Sequence, residues 1–276
     1  MTSSKTIVIT GASDGIGAAA ARRLHQDGHR VVVVGRSPQK TRAVADEIGA
    51  DFFVADFTRL DEVRKLAAEL TAAYPAIDVL ANNAGGVFGD RTKTVDGFEL
   101  TFQINHLAPF LLTQLLMDTL ITSRATVIQT SSVAARTSRQ LDLDDLDHDR
   151  NFDPIRVYGA AKLENILFTK ELHRRYHDRG ISAVAFHPGN VRTSFGTTSE
   201  SRLIKFITTN PVTRSLLLIT PEQGADQLVW FAEGRPGVDW KPATYYAKRK
   251  PARTNPQAGD AALARGLWDR SEQLLA

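Results

Sequence analysis

The stretch TGASDGIG, residues 10–17, decides the fold of this chain. It follows an apolar run typical of a buried strand and leads directly into a helical pattern over Ile16–Gln26. Gly11 permits the tight turn, Gly15 lets the backbone approach a pyrophosphate, and Gly17 lets the helix pack close to the sheet. The first turn of that helix offers free N–H groups and a positive dipole end to phosphates. The stretch therefore predicts a nucleotide site at a strand-to-helix turn.

Short runs rich in Val and Ile alternate with amphipathic helical patterns along the chain. The predicted strands are Thr6–Thr10, Arg30–Val34, Asp51–Ala55, Ile77–Ala81, Ala125–Thr130, Ile181–His187 and, more weakly, Thr244–Ala247. The predicted helices are Ile16–Gln26, Leu60–Ala73, Phe98–Leu120, Ile155–His177, Pro221–Ala232 and Ala261–Leu275. Because this alternation gives right-handed crossovers, we predict one α/β domain over residues 1–276. It is a Rossmann-type doubly wound sheet of about seven mostly parallel strands in the order 3-2-1-4-5-6-7, with helices on both faces.

The composition of the 276 residues excludes several classes of protein. The chain has no cysteine, which excludes disulfides, thiolate metal sites and cysteine nucleophiles. Its net charge of +3 is spread along the sequence, and we interpret the densest basic run, Lys248–Lys250, as a solvated loop. The sequence has neither a signal-peptide core nor an apolar stretch of membrane-spanning length. We expect a cytoplasmic protein that spans no membrane and binds no nucleic acid.

Two segments interrupt the alternation of strands and helices. Residues 136–153 form a polar, aspartate-rich insertion that could suggest calcium, but it lacks the central glycine and final glutamate of an EF-hand loop. Residues 193–220 carry many large apolar side chains and predict a substrate-binding flap, or a pair of short helices packed on the body.

His173 and His177 lie four residues apart on a predicted helix, yet no third ligand is evident, so we expect no bound metal.

Further motifs follow the glycine-rich stretch in a fixed order. They are Asn82–Gly85 after the fourth strand, Asn105 within NHLAPFLLT, Ser132 at the end of the fifth strand, Tyr158-x-x-x-Lys162 at a helix start, and Pro188–Thr193 after the sixth strand. Together with the spacing Thr-Gly-x-x-x-Gly-x-Gly, this pattern resembles the short-chain dehydrogenase/reductase family over nearly the whole chain. The insertion and the sequence YGAAKLEN at 158–165 are most similar to the retinol-dehydrogenase-like and WW-domain-oxidoreductase-like branch. The resemblance implies a Rossmann-type fold and a nicotinamide-dependent oxidoreductase.

The predicted catalytic residues are Asn105, Ser132, Tyr158 and Lys162. Tyr158 and Lys162 are four residues apart, so they share one face of a helix. A neighbouring ammonium and the positive nicotinamide lower the pKa of a tyrosine, whose ordinary value of about 10 makes it a poor base. Tyr158 can then exchange a proton with an alcohol or carbonyl oxygen that Ser132 holds. The resemblance implies that Lys162 also binds the nicotinamide ribose and that Asn105 positions a water of a proton relay. Because Ser131 precedes Ser132, the serine assignment could be displaced by one residue.

The end of the second strand bears on the choice of cofactor. It reads Val34-Gly35-Arg36-Ser37 and lacks the acidic residue that favours NAD. Arg36 can clamp a 2′-phosphate and Ser37 can hydrogen-bond it, so we predict NADP(H), with NAD(H) as the alternative. Asp56 and Phe57 resemble the adenine-contacting pair of the family. The predicted cofactor-binding residues are Gly11, Ser13, Asp14, Gly15, Ile16, Gly17, Arg36, Ser37, Asp56, Phe57, Asn83, Ala84, Gly85, Tyr158, Lys162, Pro188, Gly189, Val191 and Thr193.

These motifs predict an oxidoreductase that moves a hydride between NADP(H) and a hydroxyl or carbonyl group. The apolar flap favours a hydrophobic substrate such as an aldehyde, a ketone, or a retinoid- or steroid-like compound. A cofactor-retaining epimerase or dehydratase and a non-catalytic, NADP-binding sensor stay open as alternatives. The resemblance also implies that the helices over Phe98–Leu120 and Ile155–His177 could pair two copies into a homodimer.

Overall fold

The computed structural model describes residues 4–150, 152–189 and 219–276. These ranges contain one eight-stranded sheet with the order β3-β2-β1-β4-β5-β6-β7-β8. Its strands are β1 Thr6–Thr10, β2 Arg30–Gly35, β3 Asp51–Val54, β4 Val79–Asn82, β5 Thr126–Thr130, β6 Ser182–His187, β7 Tyr245–Ala247 and β8 Lys250–Pro251. Strands β1 to β7 pair in parallel, whereas β8 is antiparallel to β7. The predicted fold class and the order of the first seven strands are confirmed, and β8 is an addition to them.

The added strand exists because the chain reverses sharply after β7. Lys248 and Arg249 both have positive φ angles, of 53° and 57°, as a tight hairpin turn requires. The Arg249 guanidinium pairs with Asp226 and lies over the ring of Trp230, 5.7 Å from its centroid. The basic run Lys248–Lys250 is exposed, as expected of a solvated segment, but it forms an ordered turn.

Helices cover both faces of the sheet. They are α1 Gly15–Gln26, α2 Pro38–Ile48, α3 Leu60–Ala73, α4 Leu100–Phe102, α5 Ala108–Leu115, α6 Met117–Thr122, α7 Pro154–Tyr176, α8 Pro221–Glu233 and α9 Ala261–Leu275, with a π-helix at Gln103–Leu107 and 3-10 turns at Val133–Thr137, His177–Arg179 and Pro256–Gly259. The sequence pattern does not predict α2. It begins with a proline at its first position, and the side chain of Ser37 accepts a hydrogen bond from the backbone N–H of Lys40.

The span predicted as helical, Phe98–Leu120, is helical from Leu100 onward except at Leu116, but it is divided into four shorter segments. A short α4 leads into the π-helix, in which the backbone N–H of Ala108 donates to the carbonyl of Gln103. Pro109 follows at the start of α5 and has no N–H to donate to the carbonyl of Asn105, four residues earlier. Apolar periodicity continues through the break and therefore does not reveal it.

Two hydrophobic layers fix the helices on the sheet. Alternate side chains of β1 point to opposite faces, so Ile7 and Ile9 pack with α1 and α8, whereas Val8 packs with α3 and α5. On the second face, the aromatic rings of Phe110 and Phe168 contact Trp268 of α9, at centroid distances of 5.0 Å and 5.6 Å. The parallel strands are thereby held with their carboxyl ends at one edge, where the loops after β1, β2, β4, β5 and β6 converge.

Two predictions fall largely on residues that the structure does not describe. Val191 and Thr193 lie outside the described residues, as does the predicted flap 193–220 except for Ile219 and Thr220. Within the described ranges, no helix has the length and the apolar character needed to cross a bilayer.

Candidate active site

The glycine-rich turn between β1 and α1 leaves no room for side chains. Gly11 has a φ of +65°, and a Cβ on it would lie 2.8 Å from the Cα of Ala84. A Cβ on Gly17 would lie 2.4 Å from the Gly11 carbonyl oxygen and 2.7 Å from Nδ2 of Asn83. The carboxylate of Asp14 caps α1 by accepting the backbone N–H of Gly15 at 2.7 Å. This cradle of bare backbone at a helix N-terminus fits the diphosphate of a dinucleotide.

Thr10 joins this cradle to the loop after β4. Its Oγ1 accepts the backbone N–H groups of Asn83 and Ala84, each at 3.0 Å, and donates to the Ala81 carbonyl at 3.3 Å. In return, Nδ2 of Asn83 donates to the Thr10 carbonyl at 3.1 Å. The predicted residues Asn83 and Ala84 are therefore held against the glycine turn by the hydroxyl of Thr10, a residue to which the sequence pattern assigns no role. The sequence signal for this role is the position of Thr10 directly before Gly11.

The loop after β2 presents positive charge. Arg36 is exposed and makes no ion pair with any residue in the described ranges. A Cβ on Gly35 would lie 2.4 Å from Oγ1 of Thr41, so the backbone comes close to α2 here. Lys40, in the first turn of α2, lies 3.5 Å from the Asp14 carboxylate and adds a second cation, to which the sequence pattern assigns no role.

In the loop after β3, the neighbouring residues Asp56 and Phe57 have different surroundings. Asp56 is partly exposed and its carboxylate accepts the backbone N–H of Thr58 at 3.0 Å. Phe57 is buried in the hydrophobic core, and its carbonyl accepts Nε2 of Gln103 at 3.1 Å. Any contact of Phe57 with a ligand would therefore use its backbone and not its ring.

The two neighbouring serines after β5 have different surroundings. Oγ of Ser131 is buried and donates to the Lys162 carbonyl at 2.7 Å. Ser132 begins the 3-10 turn, where its Oγ accepts the backbone N–H of Ala134 at 3.2 Å, and it is hydrogen-bonded to the side chain of Tyr158. Of the two serines, the structure brings Ser132 to the tyrosine.

Tyr158 and Lys162 lie together on the inner face of α7. Nζ of Lys162 is 5.5 Å from the centroid of the Tyr158 ring and donates to the Thr130 carbonyl at 3.1 Å. Burial lowers the pKa of Lys162 to about 7. Burial also raises the pKa of Tyr158 to about 12, although its hydrogen bond with Ser132 lowers it. In the protein alone, desolvation outweighs the stabilisation of the phenolate by Ser132 and keeps the tyrosine protonated at neutral pH, and the lowering of its pKa predicted from Lys162 does not appear.

Asn105 lies in the π-helix, a distortion that is frequent at functional sites. Its side chain is fully engaged: Nδ2 donates to the carbonyls of Gly86 and Thr101 at 2.9 Å and 2.8 Å, and Oδ1 accepts the N–H of Gly86 at 3.2 Å. A Cβ on Gly85 would lie 2.4 Å from that Oδ1 and 3.1 Å from Nζ of Lys162. Because Pro109 cannot donate to the Asn105 carbonyl, this backbone oxygen is the atom of Asn105 suited to hold a water.

Pro188 and Gly189 follow β6 at the same edge of the sheet. Gly189 has a φ of +101°, and a Cβ on it would lie 2.6 Å from Cδ1 of Ile219. The carbonyl of His187 accepts Nε2 of Gln227 at 2.7 Å, so α8 holds the start of this loop.

The aspartate-rich insertion uses its carboxylates for ion pairs. Asp142 pairs with Arg150 at 2.9 Å, Asp147 with Lys93 at 3.0 Å, and Asp149 with Arg91 at 2.8 Å. Among the residues described, no group of three or more His, Cys, Asp or Glu side chains is arranged to hold a metal ion.

The fold and this edge of the sheet together define a dinucleotide-binding α/β domain with a Ser–Tyr–Lys constellation. The family model for short chain dehydrogenase matches residues 5–144. The chain belongs to the short-chain dehydrogenase family, in its retinol-dehydrogenase-like branch.

Similar proteins cover nearly the whole chain. It is 42% identical to a protein of Streptomyces sp. (strain C5) provisionally named daunorubicin C-13 ketoreductase DnrU, over 97% of this chain and 91% of that relative. It is 33% identical to mouse retinol dehydrogenase 14, over 98% of this chain and 86% of the relative. A crystal structure of an uncharacterized protein from Mycobacterium paratuberculosis is 31% identical and superposes with a TM-score of 0.77, covering 99% and 95% of the two chains.

Two more distant structures show the same fold with cofactors. A short chain dehydrogenase from Shigella flexneri 2a was crystallised with NADP, at 25% identity, a TM-score of 0.65, and 83% and 91% coverage of the two chains. A 3-ketoacyl-(acyl-carrier-protein) reductase from Brucella melitensis was crystallised with NADH, at 23% identity, a TM-score of 0.67, and 87% and 95% coverage.

Proposed function

We propose that this chain is an NADP(H)-dependent oxidoreductase that interconverts a hydroxyl and a carbonyl group on a hydrophobic small molecule. The observation that supports it most directly is the juxtaposition of three side chains beside the glycine cradle. Ser132 is hydrogen-bonded to Tyr158, and Lys162 lies buried next to the tyrosine ring. A hydroxyl pair backed by a buried amine is suited to proton exchange with a substrate oxygen.

The residues of the chain divide the proton chemistry between them. When bound, the nicotinamide cofactor supplies or accepts the hydride. In the reductive direction, Ser132 and Tyr158 both hydrogen-bond the substrate carbonyl oxygen, and Tyr158 donates its proton as negative charge develops there. The Lys162 ammonium stabilises the phenolate that remains. Since its pKa is about 7, Lys162 can also pass a proton onward at neutral pH.

We infer that the proton which restores Tyr158 arrives from the side of the π-helix. The missing Cβ of Gly85 leaves space between the Asn105 side chain and Nζ of Lys162, and a water held by the Asn105 backbone carbonyl would pass the proton to Lys162. In this scheme the side chain of Asn105 holds the loop at Gly86, while its backbone carbonyl binds the water of the proton relay.

The loop after β2 supports the preference for NADP(H). Arg36 and Ser37 offer a guanidinium and a hydroxyl to a 2′-phosphate, and Lys40 adds positive charge nearby. The ketoreductase and retinol dehydrogenase names of the relatives support a carbonyl or alcohol substrate of apolar character.

Calorimetry with NADP⁺, NADPH, NAD⁺ and NADH, on the wild type and on Arg36→Ala, tests this proposal together with NADPH oxidation over a panel of aldehydes and ketones. We expect tight NADP(H) binding that Arg36→Ala weakens by about 10- to 100-fold, since a hydrogen bond to a charged group contributes about 1.5–3 kcal/mol. Tyr158→Phe should retain cofactor binding and lose at least about 100-fold in turnover. Preference for NAD(H) would overturn the cofactor assignment. Retained cofactor with no net oxidation would favour the epimerase or dehydratase, and binding without turnover would favour the sensor.

The helix pair predicted to form a homodimer is covered by the chain itself. Trp268 of α9 packs on Phe110 and Phe168, and Nε2 of Gln114 donates to the carboxylate of Glu272 at 3.0 Å. A homodimer would therefore need α9 to move or another face to pair. Light scattering after size-exclusion chromatography measures the oligomeric state directly.

A further inference from the structure

Two buried side chains share one backbone acceptor beneath the candidate catalytic site. The carbonyl oxygen of Thr130, the last residue of β5, accepts Nζ of Lys162 at 3.1 Å and Nδ2 of Asn165 at 3.3 Å. Lys162 and Asn165 are each only 2% exposed. Asn165 lies three residues after the lysine on α7, so both side chains reach the same strand end.

Because Asn165 shares the Thr130 carbonyl, the Lys162 ammonium can leave that oxygen at little energetic cost. A buried carbonyl that loses its only partner incurs a desolvation penalty. Here the Asn165 amide would remain on the Thr130 oxygen if the ammonium turned away. The lysine has three N–H donors, and Thr130 is its one hydrogen-bond acceptor within the described ranges.

A second contact holds the Asn165 side chain in place. His106, in the π-helix beside Asn105, hydrogen-bonds Asn165. Nε2 of His106 lies 2.8 Å from Oγ of Ser271, which itself donates to the Leu267 carbonyl in α9 at 2.8 Å. Asn165 is thus braced between the strand end and the carboxyl-terminal helix.

We propose that Asn165 is a positioning residue for Lys162. Its amide keeps the Thr130 carbonyl hydrogen-bonded, so that the ammonium is free to leave that oxygen for the ribose hydroxyls of a bound nicotinamide cofactor. The amide is also uncharged, which leaves the lysine without a counter-ion. This inference rests on the proposed function, because it needs Lys162 to act on a bound cofactor.

Because the Asn165 amide is uncharged, its effect on the pKa of Lys162 can be tested by placing a charge at that position. Tyr158 of α7 is the titratable side chain beside Nζ, and His106 faces it from the π-helix through Asn165. Burial lowers the pKa of Lys162, and no neighbouring charge opposes that shift among the residues described. A carboxylate at position 165 would stabilise the ammonium and raise this pKa.

Three variants separate positioning from simple structural support. Asn165→Leu removes the amide and keeps the branched shape of the side chain with a larger volume, and Asn165→Asp replaces the amide with a negative charge. Thr169→Val is the matched control, because Oγ1 of Thr169 donates to the Asn165 backbone carbonyl at 2.7 Å, one turn further along the same buried face. The readouts are the NADPH dissociation constant from cofactor fluorescence and the pH profile of kcat/KM for carbonyl reduction, with circular dichroism confirming folding.

We expect Asn165→Leu to weaken NADPH binding by about tenfold, because the ammonium becomes the last partner of the Thr130 carbonyl. Asn165→Asp should move the lysine-dependent limb of the pH profile upward by about one pH unit or more. Thr169→Val should leave both properties within about twofold of the wild type. Unchanged NADPH affinity in a folded Asn165→Leu, or an unmoved pH profile in Asn165→Asp, would overturn the inference. If Asn165→Leu does not fold, the nearly isosteric Asn165→Asp decides by its pH profile. Failure of the wild type itself to bind or oxidise NADPH would refute the proposed function instead.

Discussion

Replacing Lys162 with methionine should make the cofactor-free protein more stable while abolishing its catalysis. The lysine side chain is 2% exposed, and its ammonium has one hydrogen-bond acceptor in the described ranges, the Thr130 carbonyl. Methionine has a similar length and no charge to desolvate, so the substitution removes a buried cation without opening a large cavity.

The magnitude follows from the pKa of the lysine. Burial lowers it from 10.5 to about 7, which corresponds to a penalty of about 5 kcal/mol on the ammonium form in the folded state. Loss of the hydrogen bond to Thr130 offsets about 1 kcal/mol, since Asn165 still binds that carbonyl. We therefore expect Lys162→Met to raise the free energy of unfolding by about 3–4 kcal/mol below pH 7.

The stability difference between Lys162→Met and the wild type should depend on pH in a definite direction. The folded-state pKa lies below the unfolded one, so the unfolded chain binds more protons between pH 7 and 10.5 and the wild type gains stability as the pH rises through this interval. The advantage of the variant should therefore be largest at pH 6.5 and shrink towards pH 9.5. Urea unfolding at several pH values measures it, and Lys65→Met, at an exposed lysine, should show no such trend. A variant less stable than the wild type at pH 6.5, or a difference independent of pH, would refute the reasoning.

Three further substitutions probe the cradle, a buried acid and the aromatic core. Gly17→Ala places a Cβ 2.4 Å from the Gly11 carbonyl, so calorimetry should find NADPH binding about 10- to 100-fold weaker, whereas Gly259→Ala, with open space around it, should bind normally. Glu164 is fully buried and both carboxylate oxygens lack a hydrogen-bond partner within the described ranges; burial and the charges of Glu99 and Asp147 raise its pKa. Because that folded-state pKa lies above the unfolded one, wild-type stability should fall as the pH rises through it, so the gain in unfolding free energy from Glu164→Gln should be larger at pH 8 than at pH 5; an equal gain at both would contradict this. Trp268→Ala should lose about 3–5 kcal/mol in urea unfolding, because the ring packs on Phe110 and Phe168, whereas Val238→Ala, at a residue 68% exposed, should stay within about 0.5 kcal/mol.

The sequence located the strands well because buried parallel strands are short, apolar and β-branched. Each of the seven predicted strands lies within two residues of its observed bounds. The family and the sheet order followed from motifs that sit where strands end. Helix α2 was missed because Val44 and Ile48 are its only large apolar side chains, although Ser37 and Pro38 form a start signal.

Features that depend on packing between distant segments were not predictable from the pattern. The burial of Phe57 and the high pKa of Tyr158 arise from contacts that no local spacing encodes. The sharing of the Thr130 carbonyl by Lys162 and Asn165 is of the same kind, because it needs the end of β5 to meet the middle of α7.

The short strand β8 has a consequence for how molecules of this protein meet one another. An outermost strand with free N–H and C=O groups is a template on which another chain can add and aggregate. On this side of the sheet the outermost residues are Lys250 and Pro251, both exposed, and they carry a charge and a missing N–H. At the opposite side, β3 presents four residues with Val54 39% exposed. Strand-mediated aggregation should therefore begin at β3, and Val54→Lys should reduce it.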